Sequence, residues 1–145
     1  CEPGRSLVGD CGYLLTRVLY EKNNGFKRFV IVDGAMNDLI RPSLYGAYHE
    51  IEVCGKENIK ETSLADVVGP ICESGDFFAK NILLPNLEHD DLLVVKSAGA
   101  YGFTMSSNYN SRTRVAEVAL EKGQDRLIRA RERFEDLIAL EKEYL

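Results

Sequence analysis

What most constrains this chain is its punctuation: short runs rich in Val, Ile, Leu, Tyr and Phe are separated by residues that turn the backbone. Gly12 to Lys22 (GYLLTRVLYEK) and Phe26 to Asp33 (FKRFVIVD) are β-rich. Asn23-Asn24-Gly25 between them tolerate positive φ, which predicts a hairpin. Arg114 to Glu121 and Asp125 to Arg131 alternate around Lys122-Gly123-Gln124, a second hairpin. Further strands are expected at His49 to Cys54, Leu64 to Cys72 and Leu92 to Val95, and Phe77 to Pro85 leads into an acidic turn at Asn86 to Asp91. Met36-Asn37-Asp38 reads as the start of a helical turn that Arg41-Pro42 should end, because a residue before proline avoids the α region. In the tail from Arg133 to Leu145, Phe134, Leu137, Ile138 and Leu145 fall near helical spacing and predict one short amphipathic helix. The fold class is therefore mainly β, a barrel or sandwich with a few short helices and a terminal one.

Size and composition remove other classes. At 145 residues, 45% hydrophobic and 28% charged, the chain suffices for one core, and disordered or collagen-like readings are excluded. Eighteen Lys plus Arg against 23 Asp plus Glu give −5, the wrong sign for coating nucleic acid. No apolar run approaches the ~18–20 residues that span a bilayer, so no membrane partner is expected. Cys1, Cys11, Cys54 and Cys72 form no CxxC, and neither His49 nor His89 joins a cysteine cluster. Reduced thiols, no metal site and a cytoplasmic location are the expectation.

Four segments are able to carry chemistry. In Glu2-Pro3-Gly4-Arg5, proline fixes the backbone and glycine permits close approach to a ligand. Arginine there suits phosphate or carboxylate, and glutamate suits a protonated ring nitrogen; a plain turn accounts for the same residues. Arg41 and Tyr45, four residues apart, face one pocket if the segment is helical, and otherwise are a surface arginine and a half-buried tyrosine. Cys72-Glu73-Ser74-Gly75-Asp76 places a thiol and a carboxylate at a strand end, where a catalytic acid would sit, although buried free cysteines are usually inert. Ala98-Gly99-Ala100-Tyr101-Gly102 permits close backbone approach or holds a tyrosine hydroxyl in a pocket, and Asn108-Tyr109-Asn110 is loop or site.

Taken together, Glu2-Pro3-Gly4-Arg5, Asp38-Leu39-Ile40-Arg41-Pro42 with Tyr45, Gly69-Pro70-Ile71-Cys72-Glu73-Ser74-Gly75-Asp76 and Gly99-Ala100-Tyr101-Gly102 resemble the diaminopimelate decarboxylase family. Those enzymes use pyridoxal 5'-phosphate (PLP) and have the alanine-racemase fold type, fold type III. The resemblance extends to Leu127-Ile128-Arg129-Ala130-Arg131-Glu132. It implies an α/β barrel that binds PLP, followed by a Greek-key-like C-terminal β-barrel. Residues 1–5 would then be the end of the first barrel, whose remainder is absent, and residues 6–145 the second.

By the same resemblance, Glu2, Pro3, Gly4, Arg5 and Tyr101 bind the cofactor. Arg5, Arg41, Tyr45, Glu73 and Tyr101 bind substrate, and Cys72 is the proton donor, supplied across a homodimer with shared active sites. Meso-diaminopimelate presents a second amino-acid group; Arg41 with Tyr45 suits its carboxylate and Glu73 its ammonium. Relatives acting on ornithine or arginine typically carry a shorter acid after the cysteine, so Glu73 favours diaminopimelate.

The lysine that anchors the cofactor and the histidine that stacks on its ring belong upstream in this family. Lys96, His49 and His89 match neither position, and Cys11 has no role. The expectation is a C-terminal portion of a lysine-forming decarboxylase, inactive alone. A decarboxylase of a polyamine precursor (ornithine, arginine or carboxynorspermidine) and a non-catalytic β-barrel dimerisation module are the alternatives.

Overall fold

The strand Leu14–Asn23 (β1) is long enough to serve two neighbours. In the computed structural model, which describes residues 1–145 except Glu2, Glu57 and Leu145, Leu14 to Arg17 pair antiparallel with Leu92–Val95 (β6). From Val18 onward β1 pairs with Arg28–Val32 (β2), and a bulge lies between Val18 and Tyr20. The turn between β1 and β2 is built as its residues predict. Gly25 has φ 87°, and the Asn24 side-chain oxygen accepts from the N–H groups of Phe26 (3.0 Å) and Lys27 (2.8 Å). These bonds draw Phe26 and Lys27 into the turn, so β2 starts later than the β-rich run suggests.

The chain forms two compact units, residues 1–106 and 107–145. The first unit is a nearly closed, barrel-like sheet of six strands. Ile51–Val53 (β3), Ser63–Val68 (β4) and Phe77–Leu84 (β5) complete it in the order β3-β6-β1-β2-β4-β5. β2 and β4 are parallel, with Val30 opposite Val67, and every other pairing is antiparallel. Val18, Val30, Val32, Leu39, Val67, Phe78, Leu93 and Val95 fill the core. Full burial of such a side chain is worth about 1.5–3 kcal/mol.

One buried cation closes the β2 side of the sheet. Arg28 pairs through two nitrogens with the Glu21 carboxylate of β1. It also donates to Ser63 Oγ at 3.0 Å and to the Leu84 carbonyl at 2.9 Å. The guanidinium thus ties β1 and β2 to the ends of β4 and β5.

Three expectations are corrected. The run from Leu64 to Cys72 is not one buried strand: β4 stops at Val68 and Leu64 is exposed. Pro70 has no N–H to extend the ladder, and the Gly69 N–H turns back to the Asp76 carbonyl at 3.1 Å. Pro42 does not end a helical turn but lies in the first turn of the helix Arg41–Tyr45 (α2). A first-turn proline lacks only an N–H that would go unbonded there. α2 ends at Gly46, in the left-handed region at φ 61°.

In the second unit, Glu117–Glu121 (β7) and Gln124–Arg129 (β8) form the expected hairpin, with Lys122 and Gly123 both at positive φ. The tail is the third correction. Phe134–Leu137 (α3) is a single turn, and a separate 3-10 turn covers Lys142–Tyr144. On the predicted face Phe134 is exposed and Leu137 and Ile138 are only half-buried, so burial gives limited return for the costly nucleation of a longer helix. The expected contribution of Leu145 lies outside the described residues. Among the described residues no helix is long and apolar enough to cross a membrane.

Candidate functional site

The amino-terminal motif becomes the short helix Gly4–Val8 (α1), followed by a 3-10 turn at Gly9–Cys11. Two glycines fix where this segment lies. A Cβ on Gly99 would stand 2.1 Å from the Val8 carbonyl oxygen, and one on Gly12 would stand 2.4 Å from Gly99 Cα. The Gly99 N–H donates to the Gly9 carbonyl at 2.9 Å, the Ala98 N–H to the Gly12 carbonyl at 2.8 Å, and Ser97 Oγ to Asp10 Oδ1 at 2.7 Å. The small-residue stretch therefore serves close backbone approach, and it also presents Tyr101. A Cβ on Gly4 would lie 3.8 Å from the Tyr101 hydroxyl.

Tyr101 faces a second motif on its other side. The Arg41 guanidinium carbon lies 5.6 Å from the Tyr101 ring centre and 5.5 Å from that of Tyr45. The helical spacing of Arg41 and Tyr45 brings them together as expected, and tertiary structure adds Tyr101. Arg41 is buried and both tyrosines are partly exposed. Among the described residues no carboxylate pairs with Arg41. A cation held by two ring faces can still accept a carboxylate at its free edge.

Cys72 and Glu73 occupy the loop between β4 and β5, and both are exposed. In this chain Cys72 is therefore not a buried cysteine. The loop folds back on itself: the Glu73 N–H donates to the Ile71 carbonyl at 2.9 Å and the Asp76 N–H to the Glu73 carbonyl at 3.0 Å. At Gly75 it lies against α2, where a Cβ would come 2.8 Å from Ser43 Oγ. A groove of about 410 Å³ beside the loop is lined by Lys27, Phe29, Ile71, Glu73 and Phe77 among others. Lys27 is committed there to the buried Asp66 at 2.7 Å.

Of the remaining cofactor residues, Pro3 precedes α1 and Arg5 is exposed on it, while Glu2 lies outside the described residues. Lys96 is tied to Glu52 and Glu50; the hydrogen bond to Glu52 holds its ammonium above the usual lysine range despite the opposing desolvation. That is the wrong direction for a nucleophilic amine. His49 is buried with Nδ1 2.9 Å from the Lys96 carbonyl. His89 Nδ1 is 2.8 Å from the Leu19 carbonyl. Among the described residues no group of His, Cys, Asp and Glu is arranged to hold a metal ion.

The residue that sequence reasoning passed over is Asp76. It is buried, and its carboxylate accepts from the Met36 N–H at 2.7 Å and the Ile71 N–H at 2.8 Å. Gly69 is a signal for it in the sequence, since a Cβ at that position would stand 2.3 Å from either carboxylate oxygen.

Residues 7–99 match the family described as pyridoxal-dependent decarboxylase, C-terminal sheet domain. A diaminopimelate decarboxylase of Campylobacter jejuni is 65% identical over 144 residues, 99% of this chain and 35% of that protein. One from Helicobacter pylori is 54% identical over 145 residues, 100% of this chain and 36% of that protein. The crystal structure of the Helicobacter pylori enzyme complexed with L-lysine superposes with a TM-score of 0.89 at 53% identity, covering 97% of this chain and 34% of the other. The M. jannaschii enzyme in co-complex with L-lysine gives 0.88 at 41% identity, covering 94% and 31%. The chain thus spans about a third of the length of these relatives. A lysine decarboxylase of Selenomonas ruminantium, at 20% identity and a TM-score of 0.68 over 77% of this chain and 30% of that one, shares the fold.

Proposed function

The chain belongs to the pyridoxal-dependent decarboxylase family, in its C-terminal sheet domain, and from that premise we propose that it supplies the substrate-reading and proton-donating side of a diaminopimelate decarboxylase. The reaction converts meso-diaminopimelate into L-lysine and CO2. The proposal includes a PLP-binding barrel that precedes residue 6, a homodimer with shared active sites and a cytoplasmic location. The observation that carries it is Arg41, a buried guanidinium between two aromatic rings with no carboxylate partner among the described residues. A substrate carboxylate is the counter-charge such a site lacks.

The residues present fit PLP. Gly4 brings backbone close to the Tyr101 hydroxyl, and Arg5 is exposed on the next residue, so a hydroxyl and a guanidinium are available to a phosphate. Glu2 would pair with the pyridine nitrogen. When bound, PLP supplies the electron sink for the pair left at Cα as CO2 departs. Arg41, with Tyr45 and Tyr101 fixing its plane, holds the distal carboxylate, and Glu73 takes the distal ammonium. The bond from Cα to its carboxylate breaks, and a Cα–H bond forms with the proton of the Cys72 thiol, which then regains a proton from water. The exposure of the thiol supports its role in a site built in part by another subunit.

The test is turnover by the full-length, PLP-loaded enzyme on meso-diaminopimelate, ornithine, arginine and carboxynorspermidine. Strong preference for meso-diaminopimelate, lost in Arg41→Ala, is the expected result. Preference for a substrate without a distal carboxylate would return the chain to the polyamine branch.

A further inference from the structure

One buried ring joins the two stretches that bring aromatic side chains to Arg41. Arg41 and Tyr45 lie on α2, and the chain leaving α2 folds back at once, with the Ala47 N–H donating to the Arg41 carbonyl at 3.3 Å. Two residues on, His49 is 5% exposed, and its Nδ1 lies 2.9 Å from the Lys96 carbonyl. A carbonyl only accepts, so Nδ1 carries the proton. Nε2 meets no partner among the described residues, which leaves the Lys96 bond as the ring's polar hold. The next residue grips the other side of the same unit, since the Lys96 N–H donates to the Glu50 carbonyl at 2.8 Å. Lys96 is thus clamped at both its N–H and its C=O. It is also where β6 gives way to the loop bearing Tyr101, and Ser97 follows it in the left-handed region at φ 56°.

We propose that His49 is a positioning residue for the Arg41 site. It touches neither substrate nor cofactor. Its N–H fixes the peptide plane between Lys96 and Ser97, and that plane sets the direction in which the chain leaves β6. A non-glycine residue at positive φ keeps its conformation only where its surroundings over-determine it. At Ser97 they are His49, bonded to the carbonyl before it, and Asp10, which accepts from its hydroxyl at 2.7 Å. Four residues later Tyr101 places its ring 5.6 Å from the Arg41 guanidinium carbon. The stretch that carries Arg41 and Tyr45 therefore also aims Tyr101. All of these contacts lie within one chain, so they do not depend on which subunit supplies Cys72. This inference rests on the function proposed above.

His49→Asn and His49→Leu, in the full-length, PLP-loaded enzyme, are the test. Asparagine can present an amide N–H at the position of Nδ1, and leucine presents none. Both variants lose the ring, so a role confined to stability would lower the amount of active enzyme in both at unchanged KM. The proposal instead expects the two to separate. His49→Leu should raise KM for meso-diaminopimelate by about tenfold or more, because the Arg41 site is misplaced. His49→Asn should restore KM to within about threefold of wild type. A wild-type KM in His49→Leu overturns the proposal, as does an equal rise in His49→Asn. A second measurement needs no variant and no turnover: the nitrogen NMR shifts of the His49 ring in the wild-type enzyme. The Nδ1–H tautomer is expected, and the Nε2–H tautomer overturns the proposal. If neither variant folds, the tautomer decides. If the wild-type enzyme instead fails to turn over meso-diaminopimelate, the functional reading falls while the tautomer still judges the clamp.

Discussion

Tyr101 holds its ring 5.6 Å from the Arg41 guanidinium carbon while its own backbone stands at φ 60°. A non-glycine residue in that left-handed region costs about 1–2 kcal/mol. The conformation persists because the loop leading into it is fixed: Gly99 and Ala98 bond to Gly9 and Gly12. The strain therefore sits where two motifs meet, and the ring contact is one return on it.

Replacing Tyr101 by Phe keeps the ring on Arg41 and removes only the hydroxyl beside Gly4. Thermal stability should change by less than about 0.5 kcal/mol, the usual range for a partly exposed position. PLP affinity should fall, read as a higher cofactor concentration for half-maximal activity. Unchanged cofactor affinity would remove the hydroxyl from the phosphate site.

Arg41→Lys keeps the charge and loses the planar fork. A lost charge-assisted bond is worth about 1.5–3 kcal/mol, so kcat/KM for meso-diaminopimelate should fall by about 10–150-fold. Activity with the PLP site saturated should stay low, because the defect is in substrate capture.

Cys72→Ala separates chemistry from folding. The thiol is exposed, so the midpoint of thermal unfolding should move little. Turnover should drop by about 100-fold or more, the usual contribution of a placed proton donor. Stopped-flow and deuterium incorporation at Cα would show whether protonation became the slow step.

Arg28→Ala should do the reverse. It strands Glu21, whose carboxylate also accepts from the Leu87 N–H at 2.9 Å. Breaking a buried pair from one side costs about 3–5 kcal/mol, and denaturant unfolding should show it. The KM of enzyme that remains folded should not change.

Acid should weaken the second unit through Glu132. The Arg114 backbone N–H, then the Arg114 and Asn108 side chains, hold this carboxyl below the usual glutamate range, outweighing desolvation in the other direction. A lowered folded-state value means that the stabilisation is fully present above the ordinary glutamate pKa and is lost as pH falls through the lowered one. Glu132→Gln should therefore be less stable than wild type at neutral pH, with the gap closing in acid. A gap that stays constant with pH would show that charge is not the cause.

The hairpins, the approach allowed by the small residues near Gly99, and the pairing of Arg41 with Tyr45 are all legible in the sequence, because each follows from φ preference or helical spacing over a few residues. Other features are not. Pro42 has two valid readings, end or first turn, and only the bonds around α2 choose between them. Asp76 reads as one more loop carboxylate until the Met36 and Ile71 amides are seen to surround it. The tail from Arg133 carries helical spacing, yet it forms only separate turns, since periodicity does not reveal whether a face finds something to cover it.

The sequence by itself determined the strand-and-turn plan, the sign of the surface charge and the four motifs that mark the family. Those properties are written in residues close together along the chain. Tertiary structure alone decided which motif meets which: β2 lies parallel beside β4, so the loop after β4 comes to rest against the segment after β2, and Asp76 reaches Met36. Likewise β6 lies beside β1, which returns the Tyr101 loop to the amino-terminal helix. Local propensity acts over a turn or a strand, whereas these contacts exist only once the sheet has fixed the order of its strands.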